Sequence, residues 1–136
     1  MKLIKKIYIY WFCAFYKFIE TSWFQGANVF RTTTLMLIFE GFLLGVIFGN
    51  YLLYTKVFIP LGNPYFFLIP IGLVLSIHKY FVFDYKAKWK SYISLFNSFP
   101  INKRRRIVFF SWIFNIVVII CLIWVFILLS KIEWIN

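Results

Sequence analysis

This sequence predicts an all-α integral membrane protein, with three transmembrane helices and two interfacial amphipathic helices on the cytoplasmic face. Three observations lead there. Of the 136 residues, 63% are hydrophobic and only 14% are charged, with a mean hydropathy of +0.85; a soluble domain of this length needs far more polar surface. The apolar residues gather in runs of the roughly 20 residues that a bilayer-crossing helix requires. Fifteen lysines and arginines stand against four acidic residues, a net charge of +11, and most of them lie between the runs. Basic residues at helix ends orient a membrane protein, which accounts for the charge better than nucleic-acid binding does.

The chain reads as one membrane domain, residues 1–136. Residues 1–30 begin MKLIKKIYIYWFCAFYKFIETSWF. The basic start and apolar middle imitate a signal peptide, but the aromatic bulk and the missing small-residue cleavage site argue against one. The uninterrupted apolar run, Ile7 to Tyr16, is too short to span comfortably. On helical spacing Lys2, Lys6, Tyr10, Cys13, Lys17 and Glu20 form a narrow polar stripe on a surface of Ile, Tyr, Trp and Phe. That pattern suits a helix lying in the membrane interface with its lysines among anionic headgroups. A fourth span is the alternative.

The first span covers residues 33–54 and the second 65–83. Between them TKVFIPLGNP holds Pro60, Gly62, Asn63 and Pro64, turn formers that cannot continue a helix, so the two spans form an antiparallel hairpin. Pro70 should kink or start the second helix, depending on where its first turn falls. In residues 84–100, Tyr85, Trp89, Tyr92, Ile93 and Phe96 recur on one helical face. Asn97 to Pro100 ends that pattern, which predicts the second interfacial helix. Lys103, Arg104, Arg105 and Arg106 then anchor a third span, residues 107–129, and Trp134 in the short tail suits the interface.

Orientation follows from the cations. The N-terminal segment carries Lys2, Lys5, Lys6, Lys17 and Arg31, and residues 84–106 carry seven more lysines and arginines; the hairpin loop has only Lys56 and the tail only Lys131. The positive-inside rule places the first two segments in the cytoplasm, and the hairpin loop and the Glu133–Asn136 tail outside. Lys2, Lys5, Lys6 and the Lys103–Arg106 run should meet lipid headgroups. Lys79, near the cytoplasmic end of the second span, can snorkel.

Two features inside the spans invite function. Gly41, Gly45 and Gly49 form a double GxxxG, which strips side chains from one helix face and admits a neighbouring backbone. Packing against the second or third helix of the same chain is the favoured reading, and self-association the alternative. Glu40 is an ionisable group within a span, costly unless it finds a partner. At 1.5 Å per residue Glu40, His78 and Asn115 lie about 10, 9 and 12 Å deep, so one polar residue per span suggests an intramembrane polar layer linking the three. As a clasp it would fix helix register; as a site it would respond to protons, since histidine titrates near neutral pH. Asn50 is a further helix-contact candidate.

Catalytic chemistry lacks its parts. A single histidine excludes an HExxH zinc site, and there is no GxSxG elbow or phosphate-cradling glycine loop. Cys13 and Cys121 stand far apart in apolar runs and read as small apolar residues rather than metal ligands; the juxtamembrane Cys13 is also open to palmitoylation. No cofactor is expected. The expected partners are membrane lipids and another membrane protein or a second copy, not nucleic acid.

The stretches YKFIETS (Tyr16 to Ser22) and KWKSYISLFNSFPINKRRR (Lys88 to Arg106), within this layout, resemble a loose group of small multi-pass inner-membrane proteins of Bacteroidota-type bacteria. The resemblance implies an accessory or immunity role in the bacterial inner membrane. The leading expectation is therefore a non-catalytic protein that binds another protein, through the glycine face or through the aromatic helix around Trp89 and Phe96. The rival is a homo-oligomeric pore or small transporter lined by the Glu40 and His78 layer.

Overall fold

The computed structural model describes residues 2–21, 28–56 and 65–132, with side chains in the last stretch from Leu68 onward. The turn formers Pro60, Gly62, Asn63 and Pro64, and the tail with Trp134, lie outside the described residues. Every described element is helical: α1 (Leu3–Thr21), α2 (Asn28–Thr55), α3 (Tyr65–Lys79), α4 (Lys88–Ser98) and α5 (Ile101–Ser130). Three helices are long and apolar enough to cross a membrane: α2, the helix that runs on from Leu68 in α3, and α5.

The local chemistry of the spans explains their continuity. Three threonines follow one another at the start of α2, where free hydroxyls would be costly in lipid. Each instead donates to a carbonyl four residues back: Thr32 to Asn28 (2.6 Å), Thr33 to Val29 (3.0 Å) and Thr34 to Phe30 (2.8 Å). Ser111 does the same on α5, with Ile107 at 2.8 Å, and the Asn50 amide donates to Val46 at 2.9 Å, spending itself on its own helix. Pro70 is accommodated inside α3. At 30 residues α5 is about 45 Å long, some 15 Å more than a hydrocarbon core. It starts directly behind Pro100, so its basic run lies in its first two turns.

The junction from α3 to α4 is a controlled break. Behind Lys79 the helix widens into a π-helical turn, Tyr80–Asp84, then tightens into a 3-10 turn, Tyr85–Ala87. Lys86 and Ala87 both adopt left-handed backbone, at φ 53° and 51°, which costs a residue with a β-carbon about 1–2 kcal/mol. Lys88 donates to the Phe81 carbonyl at 3.2 Å, covering one acceptor near the break. Helical spacing puts Tyr85 on the apolar face of α4, but Tyr85 lies before the break and is exposed. The two left-handed residues reset the rotation of the helix, and only Trp89, Tyr92, Ile93 and Phe96 pack against the core.

The largest departure from the sequence expectation is α1. Five consecutive residues, Trp11 to Phe15, are buried, so protein encloses the middle of this helix on all sides. Tyr8 and Phe15 stand about 10 Å apart along α1, yet they meet adjacent residues of α2, Glu40 and Phe39. Trp11 and Phe18 likewise meet Phe114 and Trp112 of α5, within one turn of each other. Helix α1 therefore crosses both spans steeply. From the other side Phe83 of the π-helical turn stacks on Phe12 (4.1 Å, 14°) and Trp89 of α4 lies on Tyr16 at 5.9 Å. Cys13 and Tyr10, expected on the narrow polar stripe, are thus covered: Cys13 is fully buried with its thiol 3.7 Å from the Tyr92 carbonyl, and Tyr10 packs edge-on against Phe99. The cover comes from α4, some eighty residues away, which no helical wheel of α1 contains.

Candidate functional site

Glu40 and Asn115 are joined through α1 rather than to each other, and Glu40 pairs directly with Lys79 of α3. Glu40 on α2 accepts two hydrogen bonds, from the Tyr8 hydroxyl at 2.7 Å and from the Lys79 ammonium at the end of α3. Both charges are withdrawn from solvent, with side-chain exposures of 14% for Glu40 and 4% for Lys79. The second link is separate: the Trp11 indole N–H donates to Asn115 Oδ1 at 2.7 Å, with Asn115 buried in the middle of α5. Tyr8 and Trp11 are three residues apart, so they project from one face of α1 and pin it to one polar group on each of two spans. Each is an apolar ring with a polar tip, the residue type that can be buried while still donating.

His78 does not join Glu40. It is exposed, and its ring lies tilted against Tyr8 at 5.7 Å between centroids. Successive residues of a helix differ by about 100° in direction, and that rotation turns Lys79 toward Glu40 and His78 away. Lys79 is accordingly not a snorkelling lysine but the buried partner of the carboxylate. The single linked layer of Glu40, His78 and Asn115 is replaced by two latches, Glu40 with Tyr8 and Lys79, and Asn115 with Trp11. The sequence held a signal for them: an acid inside a span with a lysine next to the histidine, and two polar-tipped aromatics at i, i+3 on the N-terminal helix.

The electrostatics hold protons in place. Burial, reinforced by the Glu40 carboxylate, pushes the Tyr8 phenol well above its ordinary range and keeps it a donor. Burial likewise pushes the Cys13 thiol up to about 12, with Lys17 offsetting part of the effect. A fully buried, protonated thiol is a packing group and has no access to a modifying enzyme. No group of three or more metal-ligating side chains occurs among the described residues.

The glycine face is divided. A β-carbon on Gly49 would overlap Val125 Cγ1, and one on Gly45 would stand 3.2 Å from Leu122 Cδ1, so both glycines admit α5. Gly41 faces open space. Two of the three glycines are therefore consumed within the chain. The aromatic face of α4 is also consumed: Phe96 is 2% exposed and Trp89 is half-buried against Tyr16, so neither is free to receive a partner. The basic residues remain outward. Lys2, Lys5, Lys6, Arg105 and Arg106 are exposed, while Lys103 and Arg104 are partly covered.

What the molecule does leave open is α3. Of its described side chains only Lys79 is buried, and Leu68, Ile69, Leu73, Val74 and Ile77 are exposed at positions that run around the helix. Gly72, with no atom within 4 Å of where a β-carbon would stand, lies one turn before Ser76. Such a small-residue pair permits close approach of another helix. No protein-family model, curated protein or solved structure matches this chain.

Proposed function

We propose that this chain is a non-catalytic protein of the bacterial inner membrane that acts by binding another membrane protein, as a small accessory subunit or an immunity protein. The distribution of lysine and arginine orients it with the N-terminus in the cytoplasm and the C-terminus outside. Helices α1 and α4 then lie at the cytoplasmic boundary, α1 beneath α4, which fits the steep crossing of α1 over α2 and α5.

The observation that carries this reading is the isolation of α3. Helices α2 and α5 close on each other through Gly45 and Gly49, whereas α3 is fastened near one end by the Glu40–Lys79 pair and the His78 contact with Tyr8, and most of its other described side chains are exposed. A bare helix with Gly72 and Ser76 on its surface suits a partner helix, because association in lipid rests on close packing of small residues. Glu40 already holds two donors and His78 stands apart, which favours binding over conduction.

The test is isolation from native membranes with identification of what accompanies the tagged chain. Gly72→Leu should release the partner while leaving the thermal stability of the purified chain unchanged. Gly45→Leu should lower that stability instead. Ion flux by the pure protein in liposomes, altered by Glu40→Gln, would overturn the proposal.

A further inference from the structure

A groove of about 690 Å³ lies between α1 and α5. Its walls are apolar: Ile4, Ile7 and Trp11 from α1, Leu43 from α2, and Phe110 and Phe114 from α5. Lys103 and Arg106, in the first two turns of α5, also line it and form its cationic rim. Lys103 Nζ sits 3.8 Å from the Phe99 ring centroid. Tyr10 packs edge-on against the same ring, and Lys6 Nζ lies 5.8 Å from the Tyr10 ring centroid. Among the described residues neither Lys103 nor Arg106 has a carboxylate within ion-pairing distance.

We propose that this groove binds one anionic phospholipid of the basic-side leaflet, its phosphate between Lys103 and Arg106 and an acyl chain along Ile107, Phe110 and Phe114. Two features select that occupant. The rim carries uncompensated positive charge while the wall offers almost only carbon, so a ligand must be anionic at one end and apolar at the other. From Lys103 to Phe114 the groove runs about 16 Å along α5, within the roughly 20 Å of one leaflet including its headgroups. The cations precede the apolar run and the aromatic wall belongs to it, the order of a phospholipid from phosphate to chain. The site is independent of the protein partner proposed above, since it does not involve α3.

Native mass spectrometry of the full-length chain in detergent, titrated with phosphatidylglycerol and with phosphatidylcholine of the same acyl chains, tests this. One phosphatidylglycerol should be retained in preference to phosphatidylcholine. Lys103→Gln and Arg106→Gln should each weaken it about fivefold, and together about 25-fold. The charge-matched pair Lys86→Gln with Lys90→Gln, neither of which lines the groove, should change it by less than about twofold, as expected of charges outside contact range. Ser111→Phe, which fills the groove and leaves every cation in place, should also abolish retention. Equal retention of the two lipids would overturn the proposal, as would equal loss in the control pair, unchanged binding in Ser111→Phe, or displacement by excess inorganic phosphate alone.

Discussion

Replacing Glu40 by leucine removes one carboxylate and strands two donors. The buried Lys79 keeps its charge without a counter-ion, and the Tyr8 hydroxyl loses its acceptor. An uncompensated buried charge costs about 3–5 kcal/mol, and an orphaned buried hydroxyl about 1–3 kcal/mol. Lysine relieves part of the first by turning toward the nearby headgroups, so the expected loss for Glu40→Leu is about 3–5 kcal/mol in all. Adding Lys79→Met removes the stranded charge, and replacing a buried pair by apolar side chains is often near neutral. The double variant should therefore recover all but about 1–2 kcal/mol, the residue due to Tyr8. Glu40→Gln keeps one acceptor oxygen for the two donors but no counter-charge, and should fall between the wild type and Glu40→Leu. The assay is a double-mutant cycle read by denaturant-driven loss of helicity in a fixed detergent. If Glu40→Leu and the double variant are equally unstable, the pair does not hold α2 to α3 and the reasoning fails.

Two further outcomes follow from the packing. Alanine at Gly49 should destabilise by about 1–3 kcal/mol through overlap with Val125, alanine at Gly45 by less because the Leu122 methyl can shift, and alanine at Gly41 should be neutral; the same denaturation assay ranks them, and Val125→Ala should rescue Gly49→Ala. In a Cys121→Ser background, Cys13 should resist a thiol-reactive maleimide at pH 8 until the chain is denatured. The folded thiol titrates at about 12 against an ordinary 9.0. The unfolded state therefore loses its proton first, and stability should decline as pH rises from about 9 toward 12.

The three spans were legible because their cause is one-dimensional. A run of some 20 apolar residues, bounded by cations or by prolines, is stable in lipid whatever its neighbours are. The glycine spacing was legible for a related reason, since period four on a helix marks a bare stripe, though not which helix fills it. The break before α4 was visible only in outline. A π-helical turn followed by left-handed Lys86 and Ala87 leaves no composition signal, as neither is the glycine such backbone favours.

By itself the sequence determined the helical class, the number of crossing segments and the crowding of cations between them, each a consequence of hydropathy and length. Only the tertiary structure decided which charge meets which. Depth along the chain put Glu40, His78 and Asn115 at one level, but partnership depends on rotation about each helix axis and on what enters from outside the spans. A turn of about 100° between His78 and Lys79, and the steep entry of α1 with Tyr8 and Trp11 on one face, turned a single polar layer into two latches.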